Sequence, residues 1–147
     1  MLISNSFSFQ EWITIFTHLS FSAVIGALIG KNRRRENKPA GMRTHMLVCL
    51  GATIFVMVPF HNPSLISPSQ VIQGVAQGIG FLGAGEILHQ SDIKNQGEVR
   101  IKGLTSAAAI WASASLGIAV GAGFYPIAIL GTIFIIFVLE VIHRFEP

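Results

Sequence analysis

Every Lys and Arg of this 147-residue chain falls on one side once its apolar stretches are threaded through a bilayer. The ten are Lys31, Arg33, Arg34, Arg35, Lys38, Arg43, Lys94, Arg100, Lys102 and Arg144. Around them lie five stretches with almost no charge, at about residues 12–30, 44–60, 71–88, 103–121 and 127–142. Each is about long enough to cross a membrane as a helix. Basic loops are retained in the cytoplasm during insertion, so the pattern sets orientation as well as class. Five spans put the N-terminus outside and the C-terminus in the cytoplasm, with both basic loops and the tail inside. The expected fold is all-α: one polytopic transmembrane helix bundle across residues 1–147, in an inner membrane.

Composition agrees with that reading. Hydrophobic residues make up 51% of the chain and charged ones 12%, with a mean hydropathy of +0.61. A soluble domain of this size needs more polar surface. The net charge of +3 is accounted for by the loops and gives no reason to expect nucleic-acid binding. The single cysteine, Cys49, lies in an apolar run; it can form no internal disulfide and reads as a small buried filler. The first ten residues carry no positive n-region, so a cleaved signal peptide is not expected. Trp12 and Tyr125 fall near the outer interface, where amphipathic rings are favoured.

Small residues recur at helical spacing. Gly26 and Gly30 are four apart in the first span, and Gly74 and Gly78 in the third. Ser106, Ala109, Ser113, Gly117 and Gly121 make one small face of the fourth. Such faces let helices approach closely in lipid, either within the bundle or against a partner or second copy. Trp111, midway along the fourth span, is expected to pack.

The third span carries the densest signals. Gly78, Gly80 and Gly83 form a literal Gly-x-Gly-x-x-Gly, with Gly85 following. A dinucleotide site needs that pattern between a strand and a helix, and here it lies in an apolar span. Close helix approach, or a break in the helix that exposes backbone groups to ions, fits better. Glu86 stands beside it near the basic end. A carboxylate there is costly unless paired or hydrated and often marks function, so it is the candidate metal ligand. Arg43, His45 and Lys102 begin neighbouring spans and are its candidate partners; simple pairing with loop cations is the alternative. Gln70, Gln73 and Gln77 share one helix face and offer interhelical hydrogen bonds or, less readily, oxygens to a cation. His18 and His45 are single histidines on separate spans, without paired metal-ligand spacing. No catalytic constellation appears, so neither enzyme activity nor a cofactor is expected. The basic run at residues 31–38 can meet anionic lipid head groups or an acidic partner, though orienting the chain is sufficient reason for it.

Three ordered motifs then carry a family resemblance. They are Lys38-Pro39-Ala40-Gly41-Met42-Arg43-Thr44-His45-Met46-Leu47-Val48-Cys49-Leu50-Gly51-Ala52, Gln77-Gly78-Ile79-Gly80-Phe81-Leu82-Gly83-Ala84-Gly85 and Lys102-Gly103-Leu104-Thr105-Ser106-Ala107-Ala108. Over roughly residues 20–125 the chain resembles the MgtC/SapB family. These motifs mark Arg43, Thr44, His45, Gly78, Gly80, Gly83, Gly85, Gly103 and Thr105 as packing or functional positions, and the small face of the fourth span adds Gly117. The resemblance implies a bacterial inner-membrane protein linked to growth at low magnesium and survival in host cells. Well-known members resemble regulators, including of the F-type ATP synthase, more than magnesium carriers. Longer members add a cytoplasmic C-terminal domain, and this chain is expected to hold only the transmembrane part. Two positions depart from the family pattern. Asn32 stands where Gly-x-Glu-Arg usually has its acid, and Asn62 where an Asp usually precedes Pro-Ser. Both changes remove a carboxylate, the ligand type magnesium prefers.

Three functional readings follow. One is a small regulator that binds another membrane complex through its helices. The second is a magnesium or other cation transporter or channel, as a homo-oligomer, with Glu86 on the route. The third is a lipid- or stress-associated membrane protein with no specific ligand.

Overall fold

The computed structural model describes residues 8–61, 67–90, 92–93 and 99–141. Among them are five helices: α1 (Phe9–Arg35), α2 (Met42–His61), α3 (Pro68–Gln90), α4 (Leu104–Gly121) and α5 (Tyr125–Glu140). Four are long and apolar enough to cross a membrane; α5 is apolar but has 16 residues. At 1.5 Å per residue α5 is about 24 Å long, short of the roughly 30 Å hydrocarbon core. Between α3 and α4 a two-residue antiparallel ladder pairs Asp92 with Arg100 and Ile93 with Val99. The expected turn chemistry at Asn62, Pro63 and Ser64, the loop charges Lys94 and Glu98, and Arg144 lie outside the described residues.

Helix ends follow local chemistry. Ser8 caps α1 in a capping box, its backbone N–H donating to Glu11 Oε2 at 2.6 Å while Glu11 N–H returns to Ser8 Oγ at 3.3 Å. The sequence reading ends this span at Gly30, but the helix runs on through Arg35. Basic residues in a last turn complement the helix dipole, so Arg33–Arg35 extend the helix rather than stop it. Asn37 (φ 54°) closes it: its N–H bonds to Arg34 O and that of Lys38 to Arg33 O, a Schellman pair. α4 closes the same way, with Gly123 at φ 79° and Phe124 N–H donating to Ala119 O.

Packing sets the topology. α1 runs antiparallel to α2, with Gly26 beside Met46 and Gly30 beside Met42. α4 runs parallel to α2, because His45 meets Ser113, Gly117 meets Cys49 and Gly121 meets Thr53. α3 lies on α4 through Gly83 and Ala107. These directions alternate along the chain, so the α1–α2 and α3–α4 links share one end of the bundle. That end is called the basic end below.

The core is the α1/α2/α4 contact. A Cβ on Gly26 would stand 2.6 Å from Met46 Cα, and one on Gly121 2.7 Å from Thr53 O. At Gly117 it would collide with the Cys49 carbonyl oxygen. Lipid tails give helices little hydrophobic reason to associate, so close packing and hydrogen bonds supply the cohesion. Ile29, Cys49, Val56 and Val120 are fully buried in this contact. The small face of α4 is therefore internal packing. At the other end Tyr125 Oη meets His18 Nδ1 at 3.1 Å and Phe21 packs edge-on to its ring, tying α5 to α1. Trp111 departs from expectation: it is 54% exposed and faces away from the core.

Candidate functional site

Polar groups collect inside the basic end. Arg33, in the last turn of α1, has 1% of its surface exposed and Asn32 beside it 8%. One guanidinium nitrogen, Nη1, donates to Glu36 Oε2 at 2.7 Å. The other two, Nε and Nη2, have no hydrogen-bond partner among the described residues, nor does Asn32 Oδ1. Arg33 also lies within electrostatic reach of His45 on α2 and Glu86 on α3. Arg33 is thus ion-paired with Glu36 and coupled through its charge to one group on each of two further helices.

His45 is fully buried. Its Nδ1 lies 2.7 Å from Ser113 Oγ, which lies 2.9 Å from Ala109 O, so the one hydroxyl proton of Ser113 serves one of these two contacts. The Ala40 backbone lies near the ring, yet Nε2 completes no hydrogen bond among the described residues. One turn on, Cys49 Sγ donates to Ser113 O at 3.1 Å, and Thr53 Oγ1 lies 2.8 Å from Ser22 Oγ and 2.9 Å from Gly117 O. This ladder makes His45, Cys49 and Thr53 the polar rungs that lock α2 to α4.

The sequence-derived candidates divide accordingly. His45, Gly117 and Ser106 are buried. Arg43 and Thr105 are exposed, and Thr44 and Glu86 are half-buried. Gly103 caps α4 at φ 87°, a left-handed conformation that glycine takes without steric cost. Arg33, which feels the charge of Glu86, is not among the candidate partners Arg43, His45 and Lys102 that the sequence suggests. The run of Arg33, Arg34 and Arg35 hid it, because only the fold shows which of three arginines turns inward.

The glycines of α3 behave differently from the expectation of a broken or closely packed helix. α3 is continuous, which also removes the strand–turn–helix setting of a dinucleotide site. A Cβ on Gly74, Gly78, Gly80 or Gly85 would meet nothing within 4 Å; only Gly83 touches a neighbour, the Ala107 Cβ at 3.5 Å. Beside Gly74 and Gly78 an apolar groove of about 620 Å³ opens between α3 and α2, lined by Leu47, Gly51, Phe55, Val75 and Ile79, with Gln70 as its polar lining residue. Gln73 and Gln77 are exposed and make no interhelical hydrogen bond among the described residues. No group of three or more His, Cys, Asp or Glu side chains is placed to hold a metal ion among the described residues.

No solved structure matches the chain. SrpB of Synechococcus elongatus is 40% identical over 143 residues, covering 92% of this chain and 79% of that protein. The Escherichia coli K12 protein named "Putative magnesium transporter YhiD" is 36% identical over 134 residues, or 86% of this chain and 59% of YhiD. MgtC of Salmonella typhimurium LT2 is 35% identical over 119 residues, 81% of this chain but 48% of MgtC. The chain thus spans between about half and four fifths of the length of these relatives. A family model described as the MgtC family matches residues 19–147, taking in most of α1 and all of α2 to α5. This membrane helix bundle belongs to the MgtC family.

Proposed function

We propose that this chain is a small regulator in a bacterial inner membrane, acting on another membrane complex during magnesium limitation or stress. In this reading the basic end faces the cytoplasm, as the retention of basic loops requires. The observation that carries it is the uncovered glycine face of α3. Within the chain 6% of the α3 span is buried, against 50% of α4 and 39% of α2. Lipid accounts for exposed leucines and phenylalanines but gives no reason for three unfilled glycine positions on one helix face, Gly74, Gly78 and Gly85. A transmembrane helix of a partner does, since glycine lets two backbones approach closely. An F-type ATP synthase is the partner that the family resemblance suggests.

A cation route past Glu86 is the second reading, and the name of YhiD favours it. Against it stands Arg33, whose buried positive charge acts on the same carboxylate and repels a divalent ion. Two measurements separate the readings. Purified protein in proteoliposomes should pass no magnesium, and the same protein should capture a membrane complex from native membranes. Flux that disappears with Glu86→Gln would reverse the choice.

A further inference from the structure

The guanidinium of Arg33 has one edge in use and one open. Nη1 is held by Glu36 at 2.7 Å, which fixes the plane of the group. The open pair, Nε and Nη2, is the side-on edge, whose N–H bonds run parallel and match two oxygens of a carboxylate or phosphate. Leaving a charged, buried donor pair unfilled is costly, so the edge calls for an acceptor beyond those in the described bundle. Its surroundings select the class. Residues 31–43 hold six cations, Lys31, Arg33, Arg34, Arg35, Lys38 and Arg43, against one acid, Glu36. Four of them, Lys31, Arg34, Arg35 and Arg43, are exposed and draw anions towards this end. The place is also where a spanning helix meets the phosphates of the membrane surface, and basic pockets between helices at that level bind head groups.

We propose that the open edge of Arg33 seats a phosphate group, from a phospholipid head group or from free phosphate, between the last turn of α1 and the first turn of α2. Nε and Nη2 take two of its oxygens. Asn32 Oδ1, an acceptor without a donor among the described residues, accepts a hydrogen bond from a protonated phosphate oxygen or from a bridging water. Because the edge is closed off from solvent, the short turn from Glu36 to Gly41 has to give way for the group to enter. This site is independent of the partner-binding reading, and its test does not use a partner.

The full chain in maltoside micelles, which carry no phosphate, is titrated separately with inorganic phosphate and with phosphatidylglycerol, and its unfolding temperature is followed at constant ionic strength. Stabilisation by the first points to free phosphate and by the second alone to a head group; either supports the site if it depends on Arg33. Arg33→Gln should weaken the effective ligand at least about tenfold, whereas Arg34→Gln, an exposed neighbour with the same charge loss, should change it less than about twofold. If Arg33→Gln does not accumulate as folded protein, Arg33→Lys keeps the charge and loses the fork. A similar loss there supports the proposal, and full affinity overturns it. It is also overturned if neither ligand stabilises the wild type, which leaves water or Glu86 on that edge, or if Arg34→Gln loses as much as Arg33→Gln.

Discussion

In α4, Gly117 and Gly121 sit against the backbone of α2, where a Cβ would overlap the Cys49 and Thr53 carbonyls. In α3, Gly74, Gly78, Gly80 and Gly85 have open space where their Cβ atoms would be. The same residue at comparable spacing thus serves two ends. On α4 it brings two helices of one chain into backbone contact; on α3, Gly74 and Gly78 line an apolar trough beside α2. A row of small residues shows that a close approach is intended, but not by what.

The largest effect that tests this difference is steric. Gly117→Leu drives a side chain into the α2 backbone, which cannot retreat as a rotamer can. It should cost about 3 kcal/mol, the upper end for overpacking, and deplete folded protein in detergent. Gly78→Leu, in open space, should stay within about 0.5 kcal/mol of the wild type. Equal damage from both would break the comparison.

A smaller effect tests the polar rungs. Thr53 Oγ1 has one proton for two neighbours, so Ser22 Oγ supplies the proton of the other bond. Thr53→Val keeps the shape and should cost about 1–2 kcal/mol by denaturant titration, because Gly117 O or Ser22 Oγ is left unpaired. No loss would mean that packing alone joins α2 to α4. The smallest effect belongs to Trp111, which faces outward. Trp111→Leu should shift stability by about 0.5 kcal/mol or less; a loss of several kcal/mol would return it to the core.

Much of this fold was legible in charge and hydropathy. The five apolar stretches became five helices with ends shifted by a few residues, and the small face of α4 became the core of the bundle. The misses have two causes. Helix continuation through Arg35 comes from last-turn charges that complement the helix dipole, while the inward turn of Arg33 and the outward turn of Trp111 depend on how a helix is rotated against its neighbours. In a membrane both sides of a helix are apolar, so a hydrophobic stripe does not report that rotation. The α3 glycines were misread for the same reason: spacing marked a face, and only packing showed it uncovered. His45 was legible as a lone histidine, but its tie to Ser113 spans 68 positions and has no local signal.

The most direct test of the account is crosslinking from the α3 trough in native membranes. In a Cys49→Ala background, Gly78→Cys and Trp111→Cys place one thiol on each of two exposed helix faces. A short thiol crosslinker should join position 78 to another membrane protein and leave position 111 unjoined. Crosslinking from position 111 alone, or from neither, would contradict the assignment of the α3 glycine face as the docking surface.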